Sequence, residues 1–399
     1  MQVLFFFIGL ATVFLLAWAW SSNRKGVRYK SVLILLGLQL AITFILLQTD
    51  IGIQIISAIA AGFAEMIAIA NTGTEFIFGD LYVNNPMAFV FNVLMPIIFV
   101  SVLVGILTYT RILPLIIKYV GLVLSKITGM GKLENYFAVA SAFIGQSEVF
   151  LTAKPLLPTL PKQRLYTLCA SAVSSVSLPI IAAFMAVLPP QYVVIAVVLN
   201  IFSALIISCI INPYKVEDED DQLIVVEDEG EKKNLFQVIS DSILDGGKIA
   251  VTVGVMVIGF VALINFINAI FTGIFTLSFQ EFLGYVFSPI AFLLGFPTQD
   301  LVNAGTIMAT KILSNEFVAQ EALLGMIDNG VVSERTIGIL TVYLISFANF
   351  SSIGIVTGAV KAMNSEKGDV VAGFGMKLLY GSVLASFLSA VIISLFIPY

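Results

Sequence analysis

The chain has 399 residues, of which 59% are hydrophobic and only 11% charged, with a mean hydropathy of +1.03 and a formal net charge of -5. That leaves too little polar surface to cover a soluble globule, so the composition specifies an integral membrane protein. The complete absence of histidine removes the commonest general base and metal ligand, and with it Ser-His hydrolysis, zinc hydrolysis and a histidine proton relay.

A hydrocarbon core of about 30 Å needs about 20 apolar helical residues per crossing. Eight stretches meet that requirement in chain order: 2–20, 31–48, 87–109, 165–188, 191–212, 249–270, 336–358 and 374–397. The first lacks a basic flank and a small-residue cleavage site, so it reads as a retained span rather than a signal peptide. Cys169 and Cys209 both fall inside spans, where they read as small buried thiols. Residues 51–72 and 235–247 are interrupted or amphipathic and read as helices lying in the membrane interface.

Basic residues set the orientation. SNRKGVRYK (22–30) follows the first span, whereas 31–110 has no Lys or Arg, so the positive-inside rule puts 22–30 in the cytoplasm and both termini outside. Lys126, Lys132, Lys162, Arg164, Lys215, Lys232, Lys233, Lys361, Lys367 and Lys377 then all fall on the cytoplasmic side. The run VEDEDDQLIVVEDEGE (216–231) carries nine of the 25 acidic residues, and without those nine the net charge of -5 becomes +4. Such a run reads as a solvated linker and divides the chain into two halves.

Two further segments, 134–160 and 298–325, are long enough to enter the membrane but carry Gly, Pro or acidic residues near their centres. They read as re-entrant hairpins, because irregular backbone at membrane depth survives only where protein or a watery cavity surrounds it. The first holds GQSEV (145–149) and the second SNEFV (314–318). Each is followed by a span with a serine pair, Ser174 and Ser175 in one and Ser351 and Ser352 in the other. The copies enter from opposite faces, as in an inverted-topology repeat with a substrate site near the bilayer midplane. The expected organisation is an N-terminal scaffold with an interfacial helix (1–133), a first transport repeat (134–212), the acidic loop (213–234), an interfacial and a scaffold helix (235–297) and a second repeat (298–399). The fold class is therefore an all-α membrane protein of about eight transmembrane helices with two hairpins and interfacial helices.

Glu148 and Glu316 stand out within these hairpins. Their nearest cations in sequence, Lys154 and Lys311, are six and five residues away, where helical pairing needs three or four. Charged groups at membrane depth mark a transport path or a partnered functional site. Serines there also bond back to their own backbone or bridge helices, which is a sufficient structural reading for Ser174 or Ser351 alone. Two carboxylates with Gln146, Asn315 and Asn349 offer both donors and acceptors. The hairpins contain no arginine to receive an anion, so an uncharged, hydroxylated ligand fits.

GQSE, ATKILSNEFVA (309–319) and FANFSSIG (347–354) together resemble the concentrative nucleoside transporter family, and KQRLYTLCASAVSSVS resembles its bacterial NupC-type branch; the likeness runs over essentially the whole chain. The resemblance implies a homotrimer in a bacterial inner membrane, importing nucleosides by an elevator-type motion with no cofactor and no nucleic-acid partner. By motif, Gln146, Ser147 and Glu148 match the residues that read the base. Glu316, Asn349 and Ser352 match those that hold the ribose, Phe347 matches the position beside the base, and Ile180 matches a further base contact. The family's ion site combines the residue five before the motif's Gln with hairpin carbonyls and serines of the following span, which carries onto Ser141, Ile144, Ser174 and Ser175. Sodium-coupled members have asparagine where this chain has Ser141, and serine there resembles the proton-coupled branch. Without histidine, the proton would ride on Glu316 or Glu148. The NupC-type likeness points to pyrimidine nucleosides with adenosine tolerated.

Two other classes remain in view. An intramembrane enzyme could use paired carboxylates on a lipid-linked substrate, but alternating access accounts for a twofold repeat and catalysis does not. A passive channel is distinguished by its inability to accumulate a solute.

Overall fold

The computed structural model describes residues 2–84, 89–216, 221 and 233–398, and among them every regular element is helical. Hydrocarbon offers no partner for peptide groups, so each membrane segment must satisfy its own. The N-terminal part comprises α1 (Gln2–Ala19), α2 (Tyr29–Gln48), α3 (Asp50–Phe78), the short α4 (Asp80–Asn84), α5 (Met95–Tyr109) and α6 (Ile112–Thr128). A π turn over Val90–Leu94 leads into α5 just before Pro96, where the missing N–H is accommodated by the displaced ladder. Gly129 stops α6 in the left-handed conformation, with φ +64° and its N–H on Ser125 O, as a C-terminal glycine does.

The first repeat follows as α7 (Lys132–Ser141), a 3-10 segment Glu148–Ala153, α8 (Lys162–Val173), α9 (Leu178–Met185) and α10 (Pro190–Ile211). Then come α11 (Leu235–Phe275) and α12 (Phe279–Leu293). The second repeat is α13 (Leu301–Leu313), α14 (Glu316–Asp328), α15 (Glu334–Leu344), α16 (Phe350–Met363), α17 (Ser365–Gly373) and α18 (Gly375–Ser394). Each half thus presents a helix, a break and a second helical piece, followed by a helix broken in the middle.

Among the described residues eight helical segments are long and apolar enough to cross a membrane, but they are not the eight read from hydropathy alone. Residues 51–72 lie within the uninterrupted 29-residue α3, itself long and apolar enough to cross. Residues 235–247 and 249–270 are one 41-residue helix, α11. The polar side chains that divide these stretches in a hydropathy profile do not interrupt an α-helical ladder, since none is proline. The reverse holds at 336–358, where the apolar run breaks between Leu344 and Phe350. The acidic run lies outside the described residues except for Val216 and Asp221.

The centre of the molecule is α8, α10, α15 and α18, almost wholly buried, whereas α3 and α11 expose most of their apolar surface. Several polar side chains inside this core tie its helices together, although Ser171, Ser208 and Thr341 keep unpartnered hydroxyls. Gln39 Nε2 on α2 donates to Leu199 O at 3.0 Å and Ser203 Oγ at 2.8 Å. Ser389 Oγ on α18 lies 2.7 Å from Asn200 Oδ1 and 2.9 Å from Ser203 Oγ. At the start of the first repeat, Arg164 grips both oxygens of Glu134 at 2.6 and 3.0 Å, and Tyr214 donates to the same carboxylate at 3.0 Å. Burial, reinforced by that carboxylate, pushes the Tyr214 hydroxyl well up from its ordinary value, so it stays a donor. Asp221 accepts from the Lys132 N–H at 2.6 Å, the place where a helix N-terminus favours an anion.

Helices α12 and α13 approach at backbone distance through Gly284 and Gly305: a Cβ on Gly305 would lie 2.4 Å from Gly284 O. Gly305→Ala is therefore expected to cost about 1–3 kcal/mol of stability, read as a lower thermal unfolding midpoint. Gly259→Ala, with no atom within 4 Å of its Cβ, should show no such drop. Asn315 caps α14 by accepting from Phe317 N and Val318 N, both at 3.0 Å. Asn315→Ala should lower the midpoint by the equivalent of about 1 kcal/mol, and Asn315→Ser should recover most of it.

Candidate functional site

In the second repeat two helix starts face one another. Asn315 caps α14 and Asn349 caps α16, the latter accepting from Ser352 N at 2.9 Å and Ser351 Oγ at 2.7 Å. Glu316, the first residue of α14, is 4% exposed and accepts from Asn349 Nδ2 at 2.7 Å through Oε2. A carboxylate at a helix N-terminus sits at the positive end of the peptide dipoles, and the asparagine joins it to the second cap. Glu316, Asn349 and Ser352 are thus brought together, with buried Phe347 two residues before Asn349. Only Oε2 of Glu316 is taken by a neighbouring side chain.

Lys311 does not pair with Glu316. Its ammonium donates to Tyr343 O and to Ser346 Oγ at 2.6 Å, and among the described residues no ion pair within 4.0 Å involves it. The break between α15 and α16 is thereby held from three sides: Lys311 on Tyr343 O, Asn200 Nδ2 on Ile345 O, and the chain's own Ser346 N on Leu344 O. Orphan carbonyls at a helix end need such partners.

In the first repeat the helix gives way at Ala142. Gly145 has φ +118°, a conformation open to glycine and strained for other residues, and a Cβ there would lie 2.7 Å from Glu148 Oε2. Phe143 O accepts from Leu178 N at 3.2 Å, which ties the tip to the start of α9. Gln146 is buried with its Oε1 unpartnered, Ile144 and Ser147 are half-buried, and Glu148 is exposed. The two glutamates differ in their surroundings: Glu316 is enclosed by the N-termini of α14 and α16, while Glu148, at the start of a 3-10 turn that packs on α16, leaves more of its side chain open. Lys154 is also exposed, and no ion pair with Glu148 forms among the described residues.

Ser141 and Ser175 meet beneath this tip. Ser175 Oγ is 2.9 Å from both Ser141 Oγ and Ser171 O, and Ser141 Oγ is 3.0 Å from Ala138 O and 3.2 Å from Ser171 O. Each hydroxyl has one proton to give, so this cluster holds more lone pairs than donors. Ser174 Oγ next to it is buried without a partner.

No hydrogen bond among the described residues joins Gln146–Glu148 to Glu316–Asn349. The two groups are neighbours through packing of Glu148–Ala153 on α16. Phe184 of α9 stacks on Phe317 of α14 at 5.3 Å, and Ile180 lies one turn before Phe184 on the same face. Sequence reasoning missed Gln320, one turn after Glu316 on α14, wholly buried with neither amide atom bonded. Its spacing of four from Glu316 was the available signal.

Three family models match in succession: "Na+ dependent nucleoside transporter N-terminus" over residues 8–81, "Nucleoside recognition" over 90–191 and "Na+ dependent nucleoside transporter C-terminus" over 192–394. The purine nucleoside transport protein NupG of Bacillus subtilis is 35% identical, the match covering 98% of each chain. The nucleoside permease NupC of Helicobacter pylori is 29% identical over 99% of this chain and 98% of its own. The structure of CNTnw in an inward-facing substrate-bound state superposes with a TM-score of 0.94 at 28% identity, over 99% and 98% of the two chains. Such relatives, with eight membrane-length helices among the described residues, make this a multi-pass protein of the bacterial inner membrane, and a transporter rather than an enzyme. From end to end, the chain belongs to the concentrative nucleoside transporter family.

Proposed function

We propose that this chain imports nucleosides by cation symport, with Glu316, Asn349 and Ser352 holding the ribose hydroxyls. The carrying observation is the Glu316–Asn349 pair: a buried carboxylate, fixed by one oxygen at 2.7 Å, keeps the other for a ligand donor. Gln146, whose buried Oε1 has no partner, supplies open amide capacity for a base edge, with Ser147 and Glu148 beside it and Phe347 and Ile180 as apolar walls. The ligand lies between the tips of two re-entrant hairpins, and the two repeats shift it across the membrane in an elevator-type motion. The protomer works in a homotrimer, as the family resemblance implies.

The coupling ion in this reading is the proton. Serine at 141 supports it: its hydroxyl is already engaged with Ser175 and Ser171 and is a weaker cation ligand than an amide carbonyl. Glu316 is the favoured proton carrier over Glu148, because it is enclosed and touches Asn349, the partner proposed for the ribose, directly. A sodium-coupled reading draws on the printed description of the family models and on the lone-pair surplus around Ser141, Ser171, Ser174 and Ser175, with Ile144 close by. The substrate range in this reading is pyrimidine nucleosides such as uridine and cytidine, with adenosine. The 35% identical relative named for purine nucleosides favours a second range that includes inosine and guanosine.

Labelled uridine uptake into proteoliposomes tests the proposal. An inward proton gradient without sodium should drive accumulation above equilibrium; uptake that requires sodium would overturn the proton assignment, and equilibration without accumulation would indicate a channel. Inosine and guanosine as competitors separate the two substrate ranges. Glu316→Gln removes a charged acceptor worth about 1.5–3 kcal/mol, so uptake should fall roughly ten- to hundredfold. Normal transport by that variant would refute the site. Ser141→Asn should introduce stimulation by sodium, read as uptake against sodium concentration at fixed pH.

A further inference from the structure

Both repeats are closed by the same kind of junction, where the last turn of the first hairpin helix meets the broken end of a later helix. In the first repeat Ser141, the final residue of α7, contacts Ser171 O in the last turn of α8 and Ser175, two residues beyond its end at Val173. In the second repeat Lys311, in the last turn of α13, contacts Tyr343 O in the last turn of α15 and Ser346, two residues beyond its end at Leu344. The partners correspond, a last-turn carbonyl and a hydroxyl two residues past the helix. The group between them does not: it is a hydroxyl in one repeat and an ammonium in the other.

A helix C-terminus presents unsatisfied carbonyls and partial negative charge, and a cation there is stabilising. Lys311 is 0% exposed, and a buried charge is costly unless it is fully solvated by the protein. No carboxylate lies within 4.0 Å of it among the described residues. Its solvation comes instead from Tyr343 O, Ser346 Oγ, Ser386 Oγ at 3.4 Å and the face of the Tyr343 ring at 4.3 Å. Ser346 Oγ is in turn 2.7 Å from Ser386 Oγ on α18. An apolar side chain of similar volume would need none of this, so the charge itself has a use.

We infer that Lys311 is a tethered cation, a permanent occupant of the second-repeat junction at the place corresponding to the Ser141–Ser171–Ser175 cluster of the first. It is a positioning residue: by clamping the end of α15 it fixes the break, hence Asn349 three residues past Ser346, and through Asn349 the carboxylate of Glu316. The second repeat is thereby kept in its binding geometry without a dissolved ion, and dependence on an exchangeable cation is confined to the rest of the molecule. This rests on the ribose-binding role proposed for Glu316 and Asn349.

Lys311→Met and the neutral, polar Lys311→Gln are compared with wild type for thermal unfolding midpoint and for uridine binding and uptake, each with methylammonium chloride or with choline chloride at the same concentration. A tethered cation predicts at least a tenfold loss of uridine affinity in both variants. It also predicts recovery of threefold or more with methylammonium but not with the larger choline, and a methylammonium-dependent rise in midpoint absent from wild type. A variant that is recovered folded only with methylammonium present also supports the inference. Variants within twofold of wild type, or variants that no small cation restores in either binding or midpoint, would overturn it. Failure of wild type to take up uridine would instead strike the transport reading, and the midpoint comparison would still decide the role of Lys311.

Discussion

A peptide group stripped of its partner in hydrocarbon costs several kcal/mol, and that single constraint governs where this chain can bind anything. Continuous helices such as α10 and α18 satisfy it alone and have no peptide groups to spare. Binding chemistry is possible only where the ladder stops, and the ladder stops only where side chains replace it. Asn315 and Asn349 do so for free N–H groups, and Lys311 and Asn200 for free carbonyls. The polar residues of the second repeat therefore serve as substitutes for backbone hydrogen bonds first. Their capacity to hold a ligand follows from being held themselves.

The two repeats meet that constraint unequally. The second repeat closes its breaks with strong, partly charged hydrogen bonds and encloses Glu316. The first uses short 3-10 turns, a glycine at positive φ and hydroxyls that share too few protons, and it leaves Gln146 Oε1 and Ser174 Oγ unsatisfied. A fully paired polar network is rigid, and a partly paired one is where a partner or a rearrangement has most to gain. The second repeat is not complete either, since Gln320 on α14 has neither amide atom bonded.

Much of this was legible in the sequence. Hydropathy reported most of the crossings, and the polar runs around Gln146 and Asn315 coincide with the breaks after α7 and α13. The association of Glu316 with Asn349 and Ser352 was readable from the motifs. What hydropathy could not report was continuity: Asp241 and Asp245 lower a local average without breaking a helix, and no sequence average marks the carbonyls left open after Leu344. Nor could spacing alone tell that Glu148 is the more open of the two while Glu316 is enclosed, since both precede an apolar run. Lys311 was visible only as a failed partner for Glu316; its true partners, Tyr343 and Ser346, are more than thirty residues away in the chain.

Helix α11 carries a consequence of its own. At 41 residues and 1.5 Å per residue it is about 62 Å long, roughly twice the hydrocarbon thickness. Its apolar stretch, 249–270, is enough to cross once, and the turns before it, with Asp241, Asp245 and Lys248 exposed, run alongside α5, where Gly105 meets Val238 and Ser242 and Gly246 meets Ile98 and Ser101. A helix that exceeds the bilayer by so much must tilt or run on past the headgroups, and the glycine contacts with α5 fix which part of α11 shares the depth of a neighbouring span.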